Sequence, residues 1–348
     1  MIRGTLILLN ILLALFTLCA YASPHIDPNS TYLFSFFGLF YPVLLILNFV
    51  FIFFWLFTKK RLTLISILTI ILGLSNVKSF IGFNTQNERR TDSRYQILSH
   101  NLQGVIPLQK KNGKFVEEKK NDFIKEIINL GIPQVYCSQE STRNGLLLIK
   151  EAFNYPYSAI SERYGTVIHS KLPIIDEGEL DLKTDGASSA IWANIQIGKD
   201  TIRVYNIHLR SNMISSPANK ILKEADLQSS KTWNSVRGIM SNYKNSTSVR
   251  AKQANIIASH LANSPYKTII CGDLNDTPLS HVYKILSKDK KDSFKEAGNG
   301  IGTTYAGVIP ALRIDYILAD KRLEIIDHQI HKGKYSDHYQ ISAEIVLP

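Results

Sequence analysis

Residues 267–276 read KTIICGDLND, and this stretch contains both features on which the fold prediction rests. Its first half is largely apolar and β-branched, which is typical of a buried strand. Its second half places Asp273 and Asn275 directly after that run. A buried strand has no need of carboxylate or amide side chains. Their position at its end therefore predicts a functional site where the strand leaves the sheet.

The same arrangement recurs through residues 94–348. Further apolar or alternating runs predict strands at residues 95–98, 134–137, 166–169, 190–197, 201–209, 314–318 and 339–346. Apolar residues at helical spacing predict helices at residues 115–130 and 249–261. Helices between strands, together with a strand pair joined through residues 198–200, predict a mixed α/β domain with antiparallel pairing.

Polar side chains that strands do not need stand at the ends of these runs. They are Asn101, Glu140, His208, Asp273, Asn275, Asp315, Asp337 and His338. Each residue alone has a structural explanation, because Asp273 suits a turn and Asp315 could pair with Arg313. It is the combination that indicates a site.

Seven short motifs contain these residues in sequence order. They are LSHN at 98–101, SQE at 138–140, GTVIHSKLPI at 165–174, NIHL at 206–209, GDLND at 272–276, IDY at 314–316 and SDH at 336–338. The ordered set resembles the endonuclease/exonuclease/phosphatase superfamily, in a membrane-anchored bacterial type. That resemblance implies a DNase I-like four-layer α/β/β/α sandwich and hydrolysis of phosphate esters.

The resemblance also implies roles for the residues. Mg²⁺, with Mn²⁺ as the alternative, would be held by the oxygen ligands of Asn101, Glu140 and Asp337. His338 would be the general base, and Asp315 would orient it. The role of Asp273 stays open, since it could instead align the attacking water.

Two donors and one supporting acid complete the expected catalytic set. Asn275 and His208 would donate hydrogen bonds to the phosphoryl oxygens. Glu162, in the Glu-Arg-Tyr stretch 162–164, is similar to an acid that supports the histidine at the position of His208 in DNase I-like members. Residues 211–248 are expected to form a long polar insertion beside the cleft.

The first quarter of the chain reads as a membrane region. Residues 1–80 contain five basic residues and only one acidic residue, Asp27. Three transmembrane helices are predicted at about residues 5–22, 33–57 and 62–83, and residues 84–93 form a polar linker. The first segment also matches a signal peptide cleaved after Ala22, so both interpretations stay open.

Basic residues predict the orientation. Arg3 and the turn Lys59-Lys60-Arg61 should stay in the cytoplasm. The catalytic domain, residues 94–348, is then expected outside the cytoplasmic (inner) membrane of a multi-pass protein. Three scattered cysteines exclude a disulfide framework or a zinc cluster.

The net charge of +11 favours anionic partners, and +7 of it lies outside residues 1–80. Within the phosphodiesterase interpretation a nuclease is expected first. The alternatives are a phospholipid or sphingomyelin phosphodiesterase and an inositol-phosphate-type phosphatase. A catalytically dead ligand-binding domain is disfavoured because the full set of site residues is present. The sequence identifies the lipid bilayer and a phosphodiester as partners, and it identifies no protein partner.

Overall fold

The predicted four-layer sandwich is confirmed in a computed structural model, which describes residues 2–84, 94–163, 165–184, 187–212, 230–307 and 311–346. Within these ranges two six-stranded sheets pack face to face, and helices cover their outer faces. The inner layer between the sheets contains Ile97, Ile168, Ile195, Val204 and Ile317.

Fourteen strands are present in the described residues. They are Ile81–Phe83 (β1), Arg94–Asn101 (β2), Val135–Gln139 (β3), Tyr157–Ile160 (β4), Thr166–Ser170 (β5), Ile174–Glu179 (β6), Ser189–Ile197 (β7), Asp200–His208 (β8), Lys267–Asp273 (β9), Lys290–Asp292 (β10), Asn299–Ile301 (β11), Asp315–Asp320 (β12), Glu324–His331 (β13) and Gln340–Val346 (β14).

The described helices fall into an N-terminal group and a group that covers the sandwich. They are Ile2–Ala22 (α1), Leu33–Leu39 (α2), Tyr41–Thr58 (α3), Thr63–Leu72 (α4), Leu74–Val77 (α5), Glu117–Ile128 (α6), Arg143–Phe153 (α7), Ser230–Ala262 (α8), His281–Leu286 (α9) and Ser293–Ala297 (α10).

One sheet has the strand order β13-β14-β2-β3-β5-β4, and the other has the order β10-β12-β9-β8-β7-β6. Each sheet contains one parallel pair, β2 with β3 and β8 with β9. The remaining pairs in both sheets are antiparallel. The carboxyl ends of the two parallel pairs supply Asn101, Gln139, His208 and Asp273.

Helix α8 corrects the expectation for residues 211–248. The helix predicted at residues 249–261 begins at Ser230, so residues 230–248 of the expected insertion are helical. Buried Tyr243, Ala251, Ala254 and Ile257 mark its inner face. Its amino-terminal half has few apolar residues, which is why the pattern reads as a loop. Residues 213–229 lie outside the described ranges.

Four strands of the sandwich, β4, β6, β10 and β13, were not predicted. Each lies at the edge of its sheet. Edge strands face solvent more than central ones do, so they lack the apolar runs by which the central strands are found. Strand β6, for example, does not alternate between buried and exposed residues, because four of its six residues are exposed.

The N-terminal helices differ from the three predicted spans. Two segments, Ile2–His25 and Tyr41–Thr58, are long and apolar enough to cross a membrane, with mean hydropathies of 2.2 and 2.1. The second predicted span is interrupted at Phe40, ahead of Pro42 near the start of α3. The third, residues 62–83, is not one helix. Helix α4 ends at Leu72, and a helix of 10 residues is only about 15 Å long.

Residues that follow α4 join the catalytic domain. Strand β1 pairs with β11, where Ile81 lies opposite Ile301. Of the predicted linker, residues 84–93, only Asn84 is described, and its side chain donates to the carbonyl of Gly298.

Candidate active site

The two sheets bring the eight strand-end residues to one end of the sandwich. Asn101 and His208 end β2 and β8, and Glu140 follows β3 directly. Asp273 ends β9 and lies opposite Asp315 at the start of the antiparallel strand β12. His338, with Asp337 before it, lies ahead of β14. The convergence follows from the sheet order.

Asp315 and His338 form a buried pair. Nδ1 of His338 lies 3.0 Å from Oδ2 and 3.1 Å from Oδ1 of Asp315. The backbone N–H of Asp315 donates to Oγ1 of Thr304, which fixes the start of β12. Such a contact places the proton of the neutral ring on Nδ1 and leaves Nε2 as the proton acceptor.

Arg313 does not compete for Asp315. Its guanidinium makes two hydrogen bonds with Asp292, of 2.9 and 2.6 Å. The alternative reading of Asp315 as the ion-pair partner of Arg313 is therefore wrong, and the carboxylate is available to His338.

The electrostatics favour a charged imidazole. Burial lowers the pKa of His338, but the nearby carboxylates of Asp315 and Asp273 outweigh it and raise that pKa to about 10. The two carboxylates therefore stabilise the imidazolium, which is the state that His338 reaches when it has accepted a proton.

The Gly-Asp-Leu-Asn segment holds Asp273 at the centre of the site. Gly272 has a φ of 135°, and a Cβ at this position would lie 2.0 Å from the carbonyl oxygen of Ile207, so only glycine fits. Oδ1 of Asp273 accepts from the backbone N–H of Asn275, at 2.7 Å. Oδ2 accepts from the Asn275 and Asn101 amides at 3.1 and 3.2 Å. Burial, and then the charge of Asp315, raise the Asp273 pKa.

Asp276, the last residue of the motif, has a structural partner. Its Oδ2 lies 3.0 Å from Nη2 of Arg250 on α8. This buried ion pair fixes the loop after β9 to the covering helix, and it keeps Asp276 away from the catalytic group.

Glu140, Asn101 and Asp337 lie on the more open side of the site. The Glu140 side chain is 39% exposed, and its backbone has a φ of 46°. Oε1 of Glu140 accepts from the Asn101 amide at 3.1 Å. Burial raises the pKa of Asp337, and the negative charges of Glu140 and Asp273 contribute to the rise. Carboxylates that repel one another in this way suit a divalent cation.

The oxygen donors on this side of the site fit a hard cation. Glu140 and Asp337 offer oxygens beside solvent, as an ion that keeps several waters requires. The amide oxygen of Asn101 accepts from the backbone N–H of Gln103, while its amide nitrogen faces the carboxylates. In this arrangement Asn101 positions Glu140 and Asp273.

A second acidic cluster lies deeper. Single ligand atoms of Asp273, Asp315 and His338 all lie within 4.8 Å of one another. All three residues are buried, and Asp273 already accepts three hydrogen bonds. The open Glu140 side therefore fits a partly hydrated cation better.

His208 lies between the two sides with no hydrogen-bond partner on either ring nitrogen among the described residues. Its Nε2 is 3.5 Å from Oε1 of Glu140 and 3.9 Å from Oδ2 of Asp273. A buried ring with unused nitrogens is expected to bind a polar group from outside the chain. The structure does not bring Glu162 to His208. The backbone N–H of Glu162 instead bonds to Glu179.

Some residues near the site were not predicted. Asn206 donates at 2.8 Å to the carbonyls of Ser138 and Val167 in the facing sheet, and it accepts from Gln139 at 2.7 Å. The ring of Tyr305 packs edge-on against His338, with 5.0 Å between the centroids. Asn206 could have been found from the sequence, because it is a polar residue within an otherwise apolar strand. No feature of the sequence indicates that Tyr305 lies near the site.

A cavity of about 600 Å³ adjoins the site. It includes Ser189, which pairs with His208 across the sheet, and Gly165, whose carbonyl accepts from Ser141. Its charged lining consists of Glu162, Glu179, Asp181 and Arg163. Three carboxylates against one guanidinium make this wall acidic.

Comparisons with known proteins agree with this geometry. Residues 98–338 match the model of the endonuclease/exonuclease/phosphatase family, and residues 3–80 match a domain of unknown function. No curated protein matches the chain.

Solved structures share the fold at low identity. An endonuclease/exonuclease/phosphatase from Bacteroides vulgatus is 14% identical, with a TM-score of 0.55, and the match covers 74% of this chain and 100% of that one. Truncated TDP2 of Caenorhabditis elegans is 15% identical, with a TM-score of 0.52 over 73% and 98% of the two chains. A mannosyl-6-phosphatase from Bacteroides thetaiotaomicron is 13% identical, with a TM-score of 0.51 over 73% and 100%.

Proposed function

Because the chain belongs to the endonuclease/exonuclease/phosphatase family, we propose that it is a divalent-metal-dependent phosphodiesterase anchored in the cytoplasmic membrane, with its catalytic domain on the extracytoplasmic side. The observation that carries the chemistry is the buried Asp315–His338 pair facing Asp273 and the open Glu140 side. The His338 side accepts a proton in this proposal, and the Glu140 side binds a cation.

In this proposal Nε2 of His338 accepts the proton of an attacking water, and Asp315 holds the ring and stabilises its positive charge. The water oxygen bonds to phosphorus as the ester P–O bond breaks. Asn275 and His208 stabilise the charge on the phosphoryl oxygens. A divalent cation bound by Glu140 and Asp337 would neutralise a phosphate oxygen and the departing alkoxide.

The membrane anchor is supported by the exposed surface of the N-terminal helices. The outward side chains of α3 include exposed Ile46, Phe49, Phe53 and Phe57. Only 22% and 28% of the two apolar windows are buried, whereas the core helix of a soluble protein is mostly buried.

The inside of the helical group is polar. Asn10 donates to Ser66, Asn48 donates to Thr17, and Trp55 donates to Asn10, at 2.8 to 3.0 Å. An apolar exterior around interhelical hydrogen bonds is the pattern of helices packed in lipid. Arg3 lies in the first turn of α1, and Lys59-Lys60-Arg61 follows the last turn of α3, which supports the proposed orientation.

A nuclease is the second candidate, and the net charge of +7 outside residues 1–80 favours it. The acidic wall beside the site opposes it, since a polyanion would pass Glu162, Glu179 and Asp181. A nuclease would break the ester P–O bond by the same mechanism, so it differs from the first proposal only in its substrate.

The proposed chemistry can be tested on the full chain in detergent micelles with the soluble diester bis(p-nitrophenyl) phosphate. We expect nitrophenol release with Mg²⁺ or Mn²⁺, loss on chelation and recovery when the ion is restored. Glu118→Gln, a change in the first turn of α6, is the control. Hydrolysis that persists after chelation would contradict metal dependence.

A further inference from the structure

The N-terminal helices contact the catalytic domain at the loop that carries Asn275. Oγ1 of Thr277, two residues after Asn275, donates to the carbonyl of Gly38 at the end of α2. Leu279 is buried among Leu13, Tyr41 and Leu44 of the helices. A Cβ on Gly38 would lie 2.4 Å from the carbonyl oxygen of Leu279. The helices and the catalytic loop are therefore in direct contact.

A second route connects α2 with the predicted general base. Phe36 and Phe40 pack with Leu312 and Tyr305, and the Tyr305 ring contacts the ring of His338. The active site is thus separated from the N-terminal helices by one layer of side chains.

Other contacts fix the same end of the helices to the domain. The hydroxyl of Tyr243 on α8 donates to the carbonyl of Ser35 at 2.7 Å. His281, at the start of α9, lies 3.1 Å from the carbonyl of Pro24. Pairing of β1 with β11 adds backbone hydrogen bonds. With contacts at α2, at residues 23–25 and at β1, the helices have little freedom to tilt away.

The apolar part of α3 begins beside these contacts. Tyr41 starts the helix, and the basic turn Lys59-Lys60-Arg61 follows its other end. A helix of 18 residues is about 27 Å long, which is close to the thickness of a bilayer core. If α3 spans the bilayer, its Tyr41 end lies at the headgroup layer, and the active site lies there with it.

The ribbon formed by β1 and β11 presents an apolar face at the same end. Phe83 and Ile301 are 70% and 65% exposed, and they share one face because Ile301 pairs with Ile81, two residues before Phe83. Large apolar residues exposed together are typical of a surface that enters a membrane interface. Thr304 and Tyr305 follow this ribbon directly and contact Asp315 and His338.

We propose that the substrate is a phospholipid of the bilayer that holds the N-terminal helices. This inference rests on the proposed phosphodiesterase function and names its substrate class. The lipid phosphate, which lies in the headgroup layer, reaches the site without leaving the membrane. Water attacks phosphorus and gives its proton to His338, one P–O ester bond breaks, and the departing oxygen takes that proton from His338 to leave as an alcohol.

The test compares three substrates with the same full-length enzyme in vesicles of phosphatidylcholine, phosphatidylethanolamine and phosphatidylglycerol, with Mg²⁺ present. The substrates are the vesicle lipids, added plasmid DNA and bis(p-nitrophenyl) phosphate. We expect hydrolysis of the vesicle lipid and little cleavage of the plasmid. The rate of lipid hydrolysis should fall when added detergent dilutes the lipid within the interface, although the bulk lipid concentration stays constant.

The double variant Phe83→Asp with Ile301→Asp tests the contact of the β1–β11 ribbon with the membrane separately from the hydrolysis step. It should lower lipid turnover about tenfold more than turnover of the soluble diester, because apolar contact with the interface is lost. The matched control is Ile132→Asp, since Ile132 is also exposed but lies before β3, at the other end of the sheet. This control should leave both rates unchanged.

Two results would overturn the inference. Cleavage of plasmid and of the soluble diester, with the vesicle lipids intact, would refute the lipid substrate and leave the phosphodiesterase standing as a nuclease. Failure to hydrolyse any of the three substrates would refute the proposed function, and the lipid inference with it.

Discussion

Asp315 lies opposite Asp273 in the β9–β12 pair and contacts His338 through both of its carboxylate oxygens. The register of β9 and β12 therefore places both Asp315 and Asp273 beside the ring of His338. Asp315 is held on the Nδ1 side of the ring, and Asp273 lies 3.8 Å from Nε2. This arrangement leads to the first prediction.

Asp315→Asn should lower kcat through His338, because the ring loses its fixed tautomer and the charge that stabilises imidazolium. Removing a general base costs about 10²- to 10⁴-fold in rate. The double variant Asp315→Asn with His338→Ala should then be scarcely slower than His338→Ala alone. If the two losses multiplied in steady-state assays, the residues would act independently, and Asp273 would be the better candidate for handling the water.

The Arg313–Asp292 pair should matter for stability. Both side chains are buried, so Asp292→Asn leaves an uncompensated guanidinium and should lower the free energy of unfolding by about 3–5 kcal/mol. Asp289→Asn is the matched control, because Asp289 and Lys321 are 63% and 65% exposed and solvent screens their ion pair, so the change should have little effect on the free energy of unfolding. Equal midpoints for the two variants in denaturant unfolding would refute this account.

Acid should destabilise the fold through buried neutral histidines. Burial lowers the pKa of His100, His169 and His328 to about 3 each. Their unfolded pKa is near 6.5, so the stability they contribute is fully present above pH 6.5 and is lost as the pH falls towards 3. The melting temperature should drop across that window, and His169→Gln should make the drop shallower. An unchanged slope in that variant would contradict the role of His169.

Membrane orientation can be checked with reporter fusions. Alkaline phosphatase fused after Phe83 should be active, because residues beyond it are proposed to lie outside the cytoplasm. A fusion after Arg61 should be inactive, since that turn should stay inside. The reverse pattern would place the catalytic domain in the cytoplasm and would end the proposed orientation.

The central strands, and the polar residues that meet at their ends, could be predicted from the sequence because both leave local signals. Strands β3 and β9 are buried on both faces, so they read as apolar runs, and the polar residues after them stand out. The ordered motifs then implied the sandwich. Phosphoester chemistry followed from the same residues.

Features set by tertiary contacts could not be read from the sequence. Edge strand β13 has no clear alternation of apolar and polar residues, and its pairing with β14 holds it in the sheet. The amino-terminal half of α8 is held by tertiary contacts, such as those of Tyr243 with Ser35 on α2 and of Lys244 with the ring of Tyr32. The apolar character of residues 62–83 resembled a span, yet its last part pairs with β11. The pairing of Arg313 with Asp292 joins residues 21 positions apart and leaves no sequence signal.

In the proposed mechanism Glu140 binds the metal ion and His338 accepts the proton. The most direct measurement is Mn²⁺ affinity by electron paramagnetic resonance, combined with kcat on bis(p-nitrophenyl) phosphate, for the full chain and two variants. Glu140→Gln should weaken Mn²⁺ binding. His338→Ala should bind Mn²⁺ as the parent does while losing about 10²- to 10⁴-fold in kcat. Loss of Mn²⁺ binding in His338→Ala, with binding intact in Glu140→Gln, would place the ion in the Asp273–Asp315–His338 cluster and contradict the account.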